Sequence, residues 1–173
     1  QREVLSTHQK ATRLNHDPTT YGAFAEIGAA QEVVAWFFRT GRASGTVAKS
    51  MSAYDMVVSD AIYGRSDRYV SRKRLRSMLN HEYSLLQERL APARGERTKF
   101  FAFADTVATN RRSRPGTGHG WLGIRFQHQP LAEPSEILLH IRLLDPVTLR
   151  EHEVIGLLGV NLIYGAFYQS EHP

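Results

Sequence analysis

Apolar residues recur every three or four positions in three segments of the first half of the chain, at about 26–40, 53–63 and 72–90. This spacing predicts three helices, each with one face turned towards a core. Gly41 follows the first segment directly, where a left-handed residue commonly ends a helix. Ser52 precedes the second segment, in the position where a hydroxyl caps the first turn of a helix.

The period of the pattern changes in the second half of the chain. Residues 99–108 are aromatic and β-like, and residues 121–128 and 136–144 alternate between apolar and polar positions, which is typical of half-buried strands. We expect the last two strands to form a hairpin within a mainly antiparallel sheet. Residues 154–168 are apolar on all sides, so periodicity leaves a buried helix and a central strand open. Between these two we favour the helix.

The remaining segments are polar or rich in small residues. Residues 1–20 show weak periodicity and predict a polar arm, whereas residues 42–50 predict a connection between two helices. A chain of 173 residues has the length of one domain. We therefore expect a single α+β domain over residues 21–173, with helices first and the sheet after them.

Composition narrows the chemistry. The chain contains no cysteine, which excludes a disulfide framework, thiolate metal sites and a cysteine nucleophile. Its eight histidines are scattered without a His-x-x-x-His pair, so we predict no metal site, and nothing indicates a particular cofactor or oligomeric state. No apolar run reaches the roughly 20 residues that a membrane span needs, and no signal peptide opens the chain. We expect a cytoplasmic protein without a membrane span.

Eight blocks of the chain, in order, carry a resemblance to a known family. They are YGAFAEIGAAQEV (21–33), ASGTVAKSMSAYDM (43–56), SDAIYG (59–64), RYVSRKRL (68–75), FFAFADTV (100–107), HGWLGIRFQ (119–127), EPSEILLHIRLLD (133–145) and GVNLIYGAFY (159–168). Together they resemble a family of uncharacterised bacterial proteins that usually run to more than twice this length. The resemblance implies that this chain is the N-terminal part of a longer protein.

Members of that family are named TonB-dependent receptors or nicotinate mononucleotide adenylyltransferases, and the residues fit neither name. A TonB-dependent receptor is a large β-barrel that needs many alternating strands of about ten residues and an export signal. An adenylyltransferase of this kind needs a Thr/His-x-Gly-His motif after an early strand. Residues 117–120 read Thr-Gly-His-Gly and precede a strand instead.

One candidate site is a phosphate-binding turn in residues 41–50. Backbone N–H groups in a Gly/Ser turn before a helix form a natural anion site, and a lysine is present. The ligand-binding candidates are Ser44, Gly45, Thr46, Lys49 and Ser50. The segment lacks the spacing of a Walker A loop, and a helix–helix connection with capping hydroxyls accounts for it equally well.

A second candidate site combines Asp105, at the end of the aromatic strand, with His119 and Arg125. If the strands are neighbours, a carboxylate beside an imidazole could perform general acid/base catalysis, with Arg125 binding the ligand. Asp and His at strand ends are also common as structural hydrogen-bond partners.

The charge balance suggests anionic partners. Lys and Arg total 22 against 17 Asp and Glu, and the net charge is +5. Arginine binds phosphates and carboxylates through a planar fork, and Tyr69 and Trp121 could stack on bases. The residues of the predicted nucleic-acid or partner surface are Arg72, Lys73, Arg76, Arg111, Arg112 and Arg114. The alternative is a solvated face of the third helix.

Two hypotheses from different classes follow. In the first, the domain is part of an enzyme that binds a nucleotide or another phosphate-bearing small molecule. In the second, it is a non-catalytic subunit that contacts RNA or an acidic protein through its arginines. The sequence leaves the choice open, although single charges at the ends of elements favour the first.

Overall fold

A computed structural model describes residues 4–111, 113–145 and 147–169. Its centre is a five-stranded mixed sheet with the order β2-β1-β3-β4-β5. The strands are β1 (Thr20–Gly28), β2 (Val47–Ala53), β3 (Lys99–Ala108), β4 (His119–Phe126) and β5 (Ser135–Arg142). Strand β1 runs parallel to both β2 and β3, whereas β4 is antiparallel to β3 and to β5.

Helices cover both faces of the sheet. They are α1 (Thr7–His16), α2 (Val33–Arg39), α3 (Met56–Tyr63), α4 (Arg72–Arg94) and α5 (Thr148–Tyr168). Helices α1, α2 and α5 pack on one face, and α4 packs on the other with α3 beside it. No helix in the described part of the chain combines the length and apolar character needed to cross a bilayer.

The two faces of β3 divide the core by side-chain size. Phe101 and Phe103 point towards α1, α2 and α5, and Ala102 and Ala104 point towards α4. The same division appears in α5, where a Cβ on Gly159 would come within 2.3 Å of Val33. In the middle of β3, phenylalanine rings therefore fill the layer under α1, α2 and α5, and alanines let α4 approach the sheet, although Phe100 at the start of β3 adds one buried ring on the α4 side. Gly159 lets α5 approach α2 in the same way.

The structure confirms an α+β fold and corrects the expected sheet, because two of its four strand pairings are parallel. The strands expected at 99–108, 121–128 and 136–144 are present with boundaries shifted by at most two residues. The apolar segment 154–168 lies within α5, so the helix is confirmed. Helix α4 starts at the expected residue and extends to Arg94.

The helix expected over 26–40 is wrong in its first part. Residues 26–28 end β1, and only Val33–Arg39 are helical. Strand β1 lies between two other strands and is covered on both faces, so its buried residues do not alternate. Residues 42–50, expected to be a connection, contain the start of β2. The small polar residues of β2 suit an edge strand that is only partly covered.

Part of the polar arm expected over 1–20 is helix α1. A capping box between Ser6 and Gln9 starts the helix, and Ala11 and Leu14 are fully buried in the core. The hydrophobic pattern did not predict this helix because only a narrow stripe of its residues is apolar and its other positions are largely polar.

A candidate anion-binding site at the carboxyl ends of the parallel strands

The carboxyl ends of β1, β2 and β3 lie at one edge of the sheet, since these strands are parallel. Strand β4 begins and β5 ends at the same edge, because both pair antiparallel. We call this region, with the loops that leave it, the carboxyl edge. In open sheets with parallel strands, ligands bind outside such carboxyl ends.

Three aromatic side chains form a shelf at the carboxyl edge. His119 Nδ1 lies 3.1 Å from His140 Nε2, and the His140 ring stacks on Trp121 with centroids 4.6 Å apart and planes at 22°. The register pairs Trp121 with His140 on adjacent strands, which places both rings on the α4 face. We call Trp121, His119 and His140 the aromatic shelf. His140 is exposed, and the other two are half-buried.

The environment of His119 favours its neutral form. Burial lowers the pKa of His119, and the proximity of His140 and the positive charge of Arg68 lower it further. The hydrogen bond between the two imidazoles also needs one ring nitrogen as acceptor, so at least one ring is neutral.

Arginines surround the aromatic shelf. Arg68 is close enough to influence His119, and Arg142 is the strand partner of His119. Arg111 and Arg114 form a tight turn in which the Arg114 N–H donates to the Arg111 carbonyl at 3.0 Å. All four are exposed, and within the described residues none of them has a carboxylate at ion-pair distance. Arg112 lies outside the described residues.

The arginine turn is anchored by a buried hydrogen-bond network. The Asn110 backbone and side-chain N–H groups both donate to the Glu151 carboxylate, and Glu151 is only 1% exposed. The Asn110 side chain also donates to the Leu143 carbonyl at 2.9 Å and accepts from the Gly118 N–H at 2.8 Å. This network joins the loop after β3 to α5 and to the end of β5. Sequence reasoning missed it.

A second network holds the loop before α4 against the same edge. The buried guanidinium of Arg74 donates to Asp60 at 2.9 Å and to the Gly64 carbonyl at 2.8 Å. Tyr69 donates to the same Asp60 carboxylate at 2.9 Å, and its carbonyl accepts from Thr106. Tyr69, which the sequence suggested for base stacking, is thus occupied in holding this loop.

Asp105 belongs to a buried carboxyl pair. It is fully buried, and its register partner Glu26 is 2% exposed. Burial raises the pKa of Asp105 well above the usual value, and the charge of Glu26 and a hydrogen bond with it act in the same direction. Burial also raises the pKa of Glu26. The N–H groups of Val33 and Val34 donate hydrogen bonds to the Glu26 carboxylate and lower its pKa, but by less than burial raises it.

The structure separates the three residues of the second candidate site. Asp105 faces α2 and α5, whereas the strand partner of His119 is Ala108, on the opposite face of β3. Arg125 shares the α4 face with His119 but lies six residues further along β4, about 20 Å away. There it donates to Asn80 and Glu136.

The candidates in residues 44–50 lie at the other end of the sheet. Ser44 and Gly45 precede β2, and the buried Thr46 hydroxyl donates to the Leu14 carbonyl at 3.2 Å. The Lys49 ammonium lies 2.5 Å from the buried Glu82 carboxylate, which also accepts from Tyr63 at 2.8 Å. Ser50 is exposed on the edge strand.

The remaining members of the predicted arginine surface lie on α4. Arg72 and Lys73 are exposed, and Arg76 forms an ion pair with Glu136 at 2.9 Å. Arg72 starts α4 next to the loop that carries Arg68, so it adds to the carboxyl edge. Among the described residues, no group of three or more His, Asp or Glu side chains is placed to hold a metal ion.

These observations define the class of the protein as an α+β domain with a basic and aromatic edge, whose exposed arginines have no carboxylate partner within the described residues. Comparison with solved structures shows that the fold is that of the competence/damage-inducible (CinA) proteins. The protein CihA of Agrobacterium tumefaciens has a TM-score of 0.64 at 14% identity, over 93% of this chain and 96% of that one. A CinA superfamily protein of Klebsiella pneumoniae 700603 has a TM-score of 0.66 at 13% identity, over 92% and 96%.

A third structure, competence damage-inducible protein A (ComA) of Klebsiella pneumoniae MGH 78578, has a TM-score of 0.65 at 10% identity, over 98% of this chain and all of that one. No protein-family model matches the chain, and no curated protein matches its sequence. At these identities the likeness concerns the fold. It gives no support to the TonB-dependent receptor name.

Proposed function

We propose that this CinA-like domain binds a phosphate-bearing small molecule, a nucleotide, at the carboxyl edge. The observation that carries the proposal is the aromatic shelf beside four exposed arginines that lack carboxylate partners within the described residues. The names of the structurally similar proteins refer to competence and damage induction and to no ligand. The argument therefore depends on the edge itself.

The aromatic shelf suits the base of a nucleotide. Stacking of a base on an aromatic ring contributes about 1–3 kcal/mol. Trp121 and His140 are already parallel, so a base adds to an existing stack without reorienting either ring.

The arginines suit the phosphate. A guanidinium binds phosphate through two parallel N–H groups. Arg68 is close enough to lower the pKa of His119, and Arg142 is the strand partner of His119. Protonation of His119 on binding adds a further charge-assisted donor. The Asn110 and Asp60 networks fix the two loops in advance, which reduces the entropic cost of binding.

The proposal covers binding and includes no reaction. Asp105 and His119, the predicted catalytic pair, lie on opposite faces of the sheet, so these two residues do not support a joint general acid/base step. A nucleotide ligand also agrees with the cytoplasmic location expected from the sequence.

Isothermal titration calorimetry with AMP, adenosine and ribose 5-phosphate tests the proposal. We expect AMP to bind, and adenosine and ribose 5-phosphate each to bind at least about tenfold more weakly, since each lacks one of the two contacts. Trp121→Leu and the double variant Arg68→Gln/Arg142→Gln should each weaken AMP binding about tenfold. Arg97→Gln, an exposed arginine at the opposite end of the sheet, is the control.

Two results would overturn the proposal. One is the absence of AMP binding at millimolar concentration by the folded wild type. The other is oligo(U) binding that is much tighter than AMP binding and falls steeply with salt. That second result would favour the non-catalytic subunit with an arginine-rich surface.

A further inference from the structure

A groove of about 1090 Å³ lies between α1 and α5, on the face of the sheet opposite to α4. Val4 and Leu5 contribute apolar surface to it, and Lys10 and Arg13 line it with positive charge. His8 and His16 lie at the same wall. We call this feature the α1–α5 groove. It is separate from the carboxyl edge and independent of the function proposed above.

The cations of the groove are held in place. The Arg13 guanidinium donates to the Tyr164 hydroxyl at 2.8 Å and lies 4.6 Å from the centroid of the Tyr168 ring. The Lys10 ammonium donates to the Asn161 side chain at 2.9 Å. These contacts leave most of the N–H donors of both side chains free.

The positive charge of the groove has no acidic counterpart among the described residues. No Asp or Glu among the described residues lines it, and none lies within ion-pair distance of Lys10 or Arg13. Asp17, just after α1, accepts hydrogen bonds from Tyr168 and Thr19. An acidic partner would therefore meet two positioned cations without displacing an existing ion pair.

The shape of the groove fits a helix. Its wall on α1 runs from His8 to His16, which at 1.5 Å per residue is about 12 Å, or two turns. Two helices side by side offer the ridges and grooves into which a third helix packs. An amphipathic helix can lay its apolar face on Val4, which is exposed, and on Leu5, and place its acidic residues against Lys10 and Arg13.

A nucleic acid fits the same groove less well. Tyr164 and Phe167 are each only 6% exposed, and Arg13 and Lys10 lie over the Tyr164 ring. The groove thus offers little open ring surface on which bases could stack. We propose that the α1–α5 groove is a docking site for an acidic amphipathic helix of a partner protein.

The test uses a designed helical peptide of about 18 residues, with Leu at spacing i, i+3, i+4, i+7 and Glu at the other positions. Its matched probe carries Lys in place of Glu. Fluorescence anisotropy should give at least about tenfold tighter binding for the Glu peptide, with the preference reduced by added salt. Lys10→Gln and Arg13→Gln should each weaken binding of the Glu peptide, and together by about tenfold. Arg97→Gln should not.

Lys10→Gln keeps the test valid if Arg13→Gln perturbs folding, because the Lys10 contact with Asn161 is exposed. Circular dichroism identifies a misfolded variant. Equal affinity for the two peptides, an unaffected folded double variant, or no binding of the Glu peptide at about 100 µM would overturn the proposal. So would tighter binding of oligo(U) than of the Glu peptide, abolished by the same two substitutions.

Discussion

Glu26 and Asp105 are register partners on the parallel strands β1 and β3, and both carboxyl groups are buried beneath α2. Glu26 accepts the N–H groups of Val33 and Val34 at 2.9 and 3.2 Å. Asp105 faces the Glu26 carboxylate and the Ile27 backbone N–H, and of these two groups only the N–H can donate a hydrogen bond to an ionised Asp105. A proton on Asp105 lets it donate to Glu26, in agreement with its raised pKa.

Asp105→Asn should stabilise the domain at neutral pH. The side-chain amide of asparagine can donate a hydrogen bond to Glu26 at any pH, whereas aspartic acid can do so only when it is protonated. The two side chains have nearly the same shape. Glu26→Gln is the matched control, because it replaces one of the two oxygens that accept backbone N–H groups and should cost about 1–3 kcal/mol. Urea unfolding at pH 7 measures both. Stabilisation by Glu26→Gln as well would contradict the assignment of the proton.

The difference between Asp105→Asn and wild type should depend on pH. The folded-state pKa of Asp105 is raised, so the stability that its protonation supports is fully present below the unfolded-state pKa, about 3.9. It is lost as the pH rises through the folded-state pKa. The advantage of the variant should therefore be small near pH 4 and grow by up to about 1.4 kcal/mol per pH unit above it. A constant difference from pH 4 to 8 would be inconsistent with this.

Gly159→Ala should destabilise the domain by about 1–3 kcal/mol, through overpacking. Its Cβ would lie 2.3 and 2.8 Å from the two Cγ atoms of Val33 and 3.0 Å from Phe103. Gly165→Ala in the same helix meets only Gln169, at 3.8 Å, and should stabilise by up to about 1 kcal/mol through helix propensity. Thermal unfolding of the two variants compares them directly. Similar effects at both glycines would refute the close approach of α5 to α2.

Lys49→Ala should lower stability by about 2 kcal/mol and leave AMP affinity unchanged. The substitution leaves Glu82, whose side chain is 2% exposed, without its cation. Loss of a partner from a buried pair costs about 3–5 kcal/mol, and the 39% exposure of Lys49 reduces that cost. The double variant Lys49→Met/Glu82→Gln should recover most of the loss. Lost AMP binding at unchanged stability would support the phosphate turn predicted in residues 44–50.

Leu14→Ala should destabilise the domain by about 2–5 kcal/mol. The side chain is fully buried against the main core, which makes α1 part of the folded unit. His8→Ala, on the exposed side of the same helix, should change stability by less than about 0.5 kcal/mol. Urea unfolding distinguishes the two. If both substitutions change the stability by similarly small amounts, residues 1–20 form the polar arm expected from the sequence and α1 is not part of the core.

His119 should titrate below the usual histidine value of about 6.5, because burial, His140 and Arg68 lower its pKa. Its contribution to stability is present above the unfolded-state pKa and is lost as the pH falls through the folded-state pKa. NMR titration should show the pKa rise when AMP is added and, separately, in Arg68→Gln, which removes one repulsive charge. If AMP leaves the pKa of His119 unchanged, the phosphate of AMP does not bind next to the aromatic shelf.

The fold was predictable where one face of an element is buried and the other is open. The strands β4 and β5 and the helix α4 keep a clear period, and their positions follow from the sequence. Strand β1 shows no alternation of apolar and polar residues because both of its faces are covered. Its last apolar residues were therefore assigned to the same helix as those of α2. Helix α1 buries little apolar surface, chiefly through Ala11 and Leu14, so its polar residues masked the helix.

The candidate site was predictable only in parts. Residue type alone suggested His119, Trp121 and the arginines of the loop after β3. It could not suggest His140, because its contact with His119 depends on the register of β4 and β5. Nor could it place Asp105 and His119 on opposite faces, because the parity of the β3–β4 register decides that.

Helix α5 contacts both of the proposed binding surfaces, one near each of its ends. Glu151 in its first turn holds Asn110 beneath the arginine turn, and Tyr164 and Tyr168 near its last turn hold Arg13. About 26 Å of continuous helix separates Glu151 from Tyr168, and Gly159 locks its middle against α2. A displacement of α5 along its axis would therefore alter the geometry of both surfaces at once.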